Sequence, residues 1–493
     1  IPGSAHYLSG DQLERQKFSF DDIQKLLAPI PGVNIQEEEG FGLRPNIGMR
    51  GTGVERSSKI TIMEDGVLIA PAPYAAPSAY YFPTAGRMEA IEVRKGSSQV
   101  KFGPQTNGGV LNLISTSIPD SFRVAGTITG GTHGTGKGHI RIGDAYDQFG
   151  WLFETYQIGS KGFKELDGGG DTGFRIKDYV GKFRFNSSSG SRVYQAFEVK
   201  LGKTDQKSDE TYFGLTNADF SLNPKRRYAA SQHDVFRGNH EQYQFRYFVG
   251  LGNADITVTA YRNDFARNWY KLGTISKAKI SKVLGTPEKY SKELAIAKGG
   301  DSDAGALRVR ANNREYFSTG FQSTLGLRAE SDGLTQSFEF GMRYHVDQEA
   351  RLQHEDAFQM SGGRMTLSKP GPPGSQANRV SEGRSWAFFA EDVLQFGRWR
   401  LSPGVRYERI ELIRNDYCKC PTRTTPTKVK RNNLDVIIPS VGLVFQVNDS
   451  VGVFGGLNKG FGPPGPGSTE ETEAETSINY EGGFRWVRGS GRF

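Results

Sequence analysis

From about residue 120 onward the chain alternates between apolar and polar positions. Phe338, Phe340, Met342, Tyr344 and Val346 alternate with Glu339, Gly341, Arg343 and His345. Trp399, Leu401, Pro403, Val405 and Tyr407 alternate with Arg400, Ser402, Gly404, Arg406 and Glu408. Ile478, Tyr480, Gly482, Phe484 and Trp486 alternate with Asn479, Glu481, Gly483 and Arg485, and the same rhythm runs through 179–185, 254–260 and 439–447. A period of two puts successive side chains on opposite faces of a strand, so each segment carries one apolar, aromatic face and one charged face. A soluble sandwich also alternates, with its polar face in water. Two features point instead to a membrane barrel. The apolar faces are dense in Phe, Tyr and Trp, as an interfacial girdle requires. Long polar connections (202–243 and 270–315) alternate with short ones such as Asn448-Asp449-Ser450, as long outer loops and short inner turns would.

Residues 1–116 follow a different pattern and predict a compact α/β domain; residues 117–493 form the alternating part. Asp11-Gln12-Leu13-Glu14 and the stretch from Ser19 through Phe20 to Leu27 predict short helices with acidic starts, the second ended by Pro29 and Pro31. Strands are predicted at 59–63, 90–94 and 109–114. Between the first two lies 70–83, where Pro71, Pro73, Pro77 and Pro83 exclude helix and central strand, so an ordered loop carries Tyr74, Tyr80 and Tyr81.

Composition narrows the class. The 493 residues exceed one ordinary core, and 12% aromatics with 63 Gly, six Met and two Cys form a β-rich profile. Mean hydropathy is −0.53, and no apolar run approaches the roughly 20 residues a membrane-spanning helix needs, which leaves a barrel open. The net charge of +8 fits either ordinary surface charge or a positive vestibule for an anionic substrate. No block of Lys and Arg indicates nucleic-acid binding. Cys418 and Cys420, one residue apart, allow a strained disulfide at best, and no further Cys completes a zinc site, so a loop feature is expected. No basic-then-apolar leader precedes Ile1; a signal peptide is expected to have been removed or to lie outside this sequence. Gly-x-Ser-x-Gly, His-Glu-x-x-His and a phosphate-binding loop are all absent, which argues against an enzyme. A barrel able to hold a domain of this size needs on the order of 22 strands, whereas the residues after it suffice for roughly 14 to 16 with loops this long. Although Phe493 suits an outer-membrane barrel end, no alternating strand leads into it, so the C-terminal part is expected to be missing.

Five ordered segments then carry a resemblance: Pro31-Gly32-Val33; Ile47-Gly48-Met49-Arg50-Gly51; Met63-Glu64-Asp65-Gly66-Val67; the run from Ala90 to Gly96; and that from Val100 to Asn112. With Lys459-Gly460-Phe461 and Thr476 to Phe484, they make the chain similar to the TonB-dependent receptors. Within that family it most resembles the ferric-citrate branch, through segments 210–216, 226–231, 261–272, 312–316 and 341–345. The resemblance implies a transmembrane antiparallel β-barrel with an N-terminal α/β plug in its lumen. It also implies active import, across the outer membrane of a Gram-negative bacterium, of ferric citrate or a related siderophore. The expected partners are the TonB energy-coupling complex, the ferric chelate as transported ligand, and outer-membrane lipid; the chain is expected to be monomeric, with no intrinsic cofactor and no nucleic acid. A passive porin or a non-transporting surface-binding protein is the alternative.

The family's plug is held by basic residues meeting inward barrel glutamates. Arg50 and Lys95 match the basic positions and Glu481 a glutamate, giving an expected plug–barrel latch. Lys at 95 keeps the charge of the usual Arg without its bidentate fork. Alternation independently turns Glu481 away from Tyr480, Phe484 and Trp486, toward the plug. Tyr74, Tyr80 and Tyr81 on the proline-rich loop, with Arg44 and Arg56 flanking the Arg50 segment, are the candidate contacts to an anionic chelate, and packing within the loop is the equal alternative for the tyrosines. His345 and His354 are expected to be surface or lumen histidines.

Overall fold

The structure is a computed structural model describing residues 4–19, 21–209, 211–488 and 491–492; Ile1, Phe20, Glu210 and Phe493, which figured in the expectations above, lie outside them. In the N-terminal unit the first helix, α1 (Gly10–Ser19), is longer than expected and takes in Ser19, while α2 (Ile23–Leu27) starts four residues later than expected. The cause is Asp22, whose extended backbone and carboxylate, accepting from the Gln24 N–H at 2.9 Å, cap the helix there. Leu26 and Leu27 are fully buried, each worth roughly 1.5–3 kcal/mol of burial.

The unit's strands are β1 (Ser4–Ser9), β2 (Val33–Ile35), β3 (Ile47–Met49), β4 (Thr61–Glu64), β5 (Val67–Leu68), β6 (Met88–Lys95) and β7 (Val110–Ser115). Five of them form a mixed sheet ordered β1-β6-β7-β4-β5, in which only β4 and β7 run parallel; β2 and β3 form a separate pair. Ile62, Ile91, Val93, Leu111 and Leu113 build its core with Leu13, Leu26 and Leu27. The loop 71–83 has neither helix nor strand, as its prolines dictate.

The wall begins at Arg123. Its long strands are β8 (Arg123–Gly131), β9 (Thr135–Ala145), β10 (Phe149–Ser160), β11 (Phe174–Asn186), β12 (Tyr194–Ser208), β13 (Val235–Leu251) and β14 (Ala254–Ile275). They continue with β15 (Leu307–Ser331), β16 (Leu334–Ser361), β17 (Ala377–Phe396), β18 (Trp399–Asp416), β19 (Lys428–Gln446), β20 (Val451–Gly462) and β21 (Glu475–Arg488). Each pairs antiparallel with its sequence neighbours, so the sheet is a meander curled into a barrel wall around the plug. Tight turns such as Asp332-Gly333, both with positive φ, link strands at one end. Segments such as 209–234 and 276–306 link them at the other, which is the long-loop end.

The alternation resolves into two faces. Tyr480, Phe484, Phe340 and Val405 are exposed on the outer face, while Arg343, His345, Arg406 and Glu408 are buried on the inner one. The inner face is polar because it meets the plug. At several inner positions the plug comes so close that the wall carries glycine. A Cβ at Gly383 would lie 2.5 Å from the Tyr74 side chain, one at Gly404 2.8 Å from Val100, and one at Gly456 2.7 Å from Ser97.

Candidate functional site

At the long-loop end, plug and wall together build a cluster of cations laid over aromatic rings. The wall contributes Arg267, Trp269 and Lys271 from β14, spaced by two and therefore on the inner face, with Arg314 from β15 directly opposite Arg267. Arg44, Arg56 and Tyr80 come from the plug. The guanidinium carbon of Arg267 lies 3.7 Å from the Tyr80 ring centroid, and those of Arg56 and Arg314 lie 5.6 and 5.7 Å from it. Arg44 stands 4.9 Å and Arg56 5.5 Å from the Trp269 ring, while Lys271 Nζ sits 3.9 Å from that ring and 3.3 Å from Tyr212. Each such contact contributes about 0.5–2 kcal/mol, more as water is excluded.

The cations are not equally available. Arg56 forks onto Glu38, with Nη2 at 2.8 Å from Oε1 and Nη1 on Oε2, and its left-handed backbone (φ 48°) turns it there. Burial works against its charge, but the Glu38 pair prevails and lifts its pKa above the ordinary arginine value. Arg314 donates to Glu349 at 2.7 Å, and Arg351 takes the other oxygen of that carboxylate at 2.5 Å. Arg267 differs: it is buried, yet among the described residues its Nε and Nη2 have no hydrogen-bond partner. A buried guanidinium with idle donors beside a second cation is built to receive an anion.

Of the five residues expected to contact the chelate, Arg44, Arg56 and Tyr80 enter this cluster. Tyr74 and Tyr81 do not, although they share the loop with Tyr80. The Tyr74 hydroxyl donates to Glu408 at 2.8 Å, and the backbone N–H groups of Tyr74 and Ala75 are held by Asp347. Tyr81 stacks on His240 at 3.6 Å with its hydroxyl 3.3 Å from Thr204 Oγ1. Both rings fasten the loop to the wall, and the loop rises between them to present Tyr80. His345 is likewise internal, bonded to Tyr261 at 2.7 Å and Asp347 at 3.1 Å, and His354 lies 3.7 Å from Asp356. Cys418 and Cys420 are bonded to each other in the connection between β18 and β19.

Of the three expected latch residues, two meet. Arg50 Nη2 lies 3.0 Å from Glu481 Oε2, while the Ser97 N–H and hydroxyl, at 2.8 and 2.7 Å, and the Ser4 N–H, at 3.2 Å, also donate to that carboxylate. Lys95 stands apart, its Nζ donating to the Pro31 carbonyl at 2.5 Å. Burial and then the nearby Arg50 charge lower its pKa, and Glu481 works against that shift.

A second and deeper tie was not legible from sequence. Arg87 forks onto Glu64 at 2.7 and 3.2 Å and reaches Asp178 of β11 through Nε at 2.8 Å. Lys200 of β12 bridges Glu64 at 2.5 Å and Asp65 at 2.6 Å. Glu64 and Asp65 stand in a motif quoted above, but their wall partners lie more than a hundred residues away and no local pattern points to them. Arg267, Trp269 and Lys271 had a signal, since a cation–aromatic–cation series at period two beside a long loop marks an inner-face site.

Sequence comparison matches residues 155–493 to the profile of the TonB dependent receptor-like β-barrel and residues 1–110 to the TonB-dependent receptor plug domain. The chain belongs to the TonB-dependent receptors. Members of that family are receptors and transporters of the Gram-negative outer membrane, not enzymes. Among solved structures in the family's fold, the unliganded ferric citrate transporter FecA superposes with a TM-score of 0.78 at 20% identity, covering 99% of this chain and 68% of that one. The siderophore receptor PiuA of Acinetobacter baumannii gives 0.74 at 15% identity, covering 99% and 70%. The vitamin B12 transporter BtuB of Photobacterium profundum is 26% identical over 232 residues, 41% of this chain. The match spans only 38% of that relative's length.

Proposed function

We propose that this chain, with its plug and barrel wall, belongs to an outer-membrane importer for an anionic ferric chelate, with ferric citrate or a related siderophore as cargo and TonB as the source of energy. The observation that carries this is Arg267: buried, stacked on Tyr80, with two donor nitrogens, Nε and Nη2, unpartnered among the described residues and a second cation opposite. Around it Arg56, Arg267, Arg314, Arg351 and Lys271 face the carboxylates Glu38 and Glu349, an excess of positive charge that draws in an anion and strengthens as water leaves. The aromatic faces of Tyr80, Trp269 and Tyr212 supply flat contact to an organic chelator. FecA and PiuA, named for ferric citrate and for a siderophore, lend support from fold alone. BtuB raises vitamin B12, a bulky corrinoid for which an arginine cluster has less use.

A passive porin fits poorly, because the lumen holds a folded domain joined to the wall by Arg50–Glu481 and by the Arg87–Glu64–Lys200 network. Import then requires that the plug rearrange, and an energy-coupling partner pulling on its N-terminal side supplies the work.

The test is tryptophan fluorescence of the detergent-purified full-length protein, titrated with ferric citrate, a ferric hydroxamate, a ferric catecholate, haem and cobalamin. Trp269 lies in the cluster, so saturable quenching by an anionic ferric chelate, weakened by Arg267→Gln, is expected. Binding of cobalamin alone would discard the chelate, and absence of binding by every member of the panel would favour a surface-binding protein.

A further inference from the structure

The inner face of β11, β12 and β13 carries cations that the plug's own carboxylates cover. Lys182 of β11 stands directly opposite Lys200 of β12 in the strand register. Arg246 of β13 lies on the same face, next in line after Gln244, the register partner of Lys200. Both lysines are buried. Like charges opposite one another on a sheet are destabilising, and burial strengthens their repulsion. The plug relieves it. Lys200 Nζ donates to Glu64 at 2.5 Å and to Asp65 at 2.6 Å, and Arg246 Nη2 donates to the Asp65 carbonyl at 2.6 Å. Lys182 Nζ reaches the Ser115 carbonyl, 3.5 Å away. The wall thus gathers its cations around one acidic turn of the plug, Glu64-Asp65-Gly66, between β4 and β5.

The same strands lead to this site from the cation cluster. Gly238, the register partner of Arg267, is followed on the inner face of β13 by His240, Gln242 and Gln244. From Gly238 to Gln244 is about 20 Å along the strand. Asn263 of β14 faces Gln242 in register. All four side chains are buried, and among the described residues His240 Nε2, Gln242 Nε2, Gln244 Oε1 and Asn263 Oδ1 have no hydrogen-bond partner. Buried polar atoms are as a rule paired, so a file of idle ones marks a surface suited to exchanging partners. Beyond it, toward the short-turn end, a cavity of about 390 Å³ is lined by Arg184, Glu198, Arg246, Thr259 and Gln322. The covered cations therefore stand between the cation cluster and a cavity on the far side of the plug turn.

We propose that Lys182, Lys200 and Arg246 form a second anion subsite on the wall, held at rest by Glu64 and Asp65 of the plug and taken by the carboxylates of the imported chelate once that turn is drawn away. The proposal rests on the reading of this chain as part of an importer of anionic chelates. The plug turn is a resident stand-in for the cargo, since two carboxylates on adjacent residues present what a polycarboxylate presents. Withdrawing the turn with nothing in its place would leave Lys182 and Lys200 facing one another uncompensated. An incoming anion restores the balance, so the movement that opens the path also uncovers its next binding site. The idle amides between the two sites hold a carboxylate more weakly than a guanidinium does, and so pass it on.

Citrate free of iron is the probe, and equilibrium dialysis of the detergent-purified full-length protein reads how much is bound. E64Q/D65N removes the resident carboxylates and is expected to bind one citrate more than the unmutated protein. Adding K182Q/K200Q to that variant is expected to abolish the extra site. Only the difference between proteins is counted, so failure of the chelate cluster to bind leaves this result readable, and failure here leaves the cluster standing. Should the double variant fail to fold, D65N alone keeps Glu64 on Arg87 and carries the same test. No additional citrate in the folded variant, or one that survives K182Q/K200Q, overturns the proposal. Uptake by cells gives a second reading. K200Q frees the plug turn but removes its replacement site, so uptake is expected to be about tenfold slower at equal surface abundance, and K200R to restore most of it. Uptake by K200Q as fast as in the unmutated protein, or faster, would make Lys200 a tie alone and overturn the proposal.

Discussion

Replacing Arg87 by Met removes the cation shared by Glu64 and Asp178 and leaves two carboxylates in a seam where all three side chains are at most 2% exposed. Breaking such a buried pair costs about 3–5 kcal/mol, because Asp178 is left unsolvated and without its cation, while Glu64 keeps only Lys200. The pKa of Glu64 reflects the whole network, Arg87 and Lys200 together. Burial pushes its carboxyl up, but Arg87 and then Lys200 bring it down from 4.5 to about 2. That shift corresponds to about 3 kcal/mol. Because the folded value lies below the unfolded one, this contribution is fully present above pH 4.5 and is lost as pH falls toward 2. Amide hydrogen exchange of Thr61–Glu64 in detergent micelles measures the opening of this part of the plug. In R87M its protection factor is expected to fall over about a hundredfold at about pH 7. In the unmutated protein protection should hold from about pH 7 to about 5 and decline below about 4.5. R50M is the comparison: Arg50 is partly exposed and Glu481 keeps its Ser97 and Ser4 donors, so the loss there should stay within about fivefold. Unchanged protection in R87M, or equal losses in the two variants, would refute the assignment of the main tie to the buried network.

Arg267→Gln is expected to weaken chelate binding by about 1.5–3 kcal/mol, roughly 10- to 150-fold in Kd by fluorescence titration, with little change in plug protection. Tyr74→Phe is expected to do the reverse. It deletes a hydroxyl bonded to Glu408 at 2.8 Å and Arg343 at 2.9 Å and loosens the plug by about 1–3 kcal/mol in the same exchange assay, while chelate affinity stays level. Gly96→Ala should disturb the latch, since Gly96 has a φ of 66° and its new Cβ would lie 2.5 Å from the Glu481 carboxylate. An electron-spin-resonance label on the plug should then report increased mobility relative to the unmutated protein.

What could be read from sequence was what is written locally. Period-two alternation marked Phe340 as outward and Arg343 as inward, because a strand's side chains obey that geometry whatever surrounds them. Prolines identified the loop 71–83. Local pattern was less able to say which of its tyrosines faces the vestibule, since Tyr74, Tyr80 and Tyr81 differ only in wall partners drawn from β11 to β18. Helix boundaries slipped for a related reason: Asp21 and Asp22 are equally good caps on paper, and the fold selects Asp22. Arg50 and Glu481 were found through family resemblance, whereas Arg87, Glu64 and Lys200 are brought together only by the folded plug inside the folded wall.

The glycines at 383, 404 and 456 have a consequence for how this protein can be engineered. They lie on β17, β18 and β20, each as a slot receiving one projection of the plug, while the Arg87–Glu64–Lys200 network meets the wall at β11 and β12. The plug is thus keyed like a lock cylinder, able to seat in one rotational setting only. A plug transplanted from another receptor would jam wherever its projections missed these slots, and a transplant that restored every charged pair would still not seat. Chimeras should therefore exchange the slotted strands together with the plug, as a single cartridge.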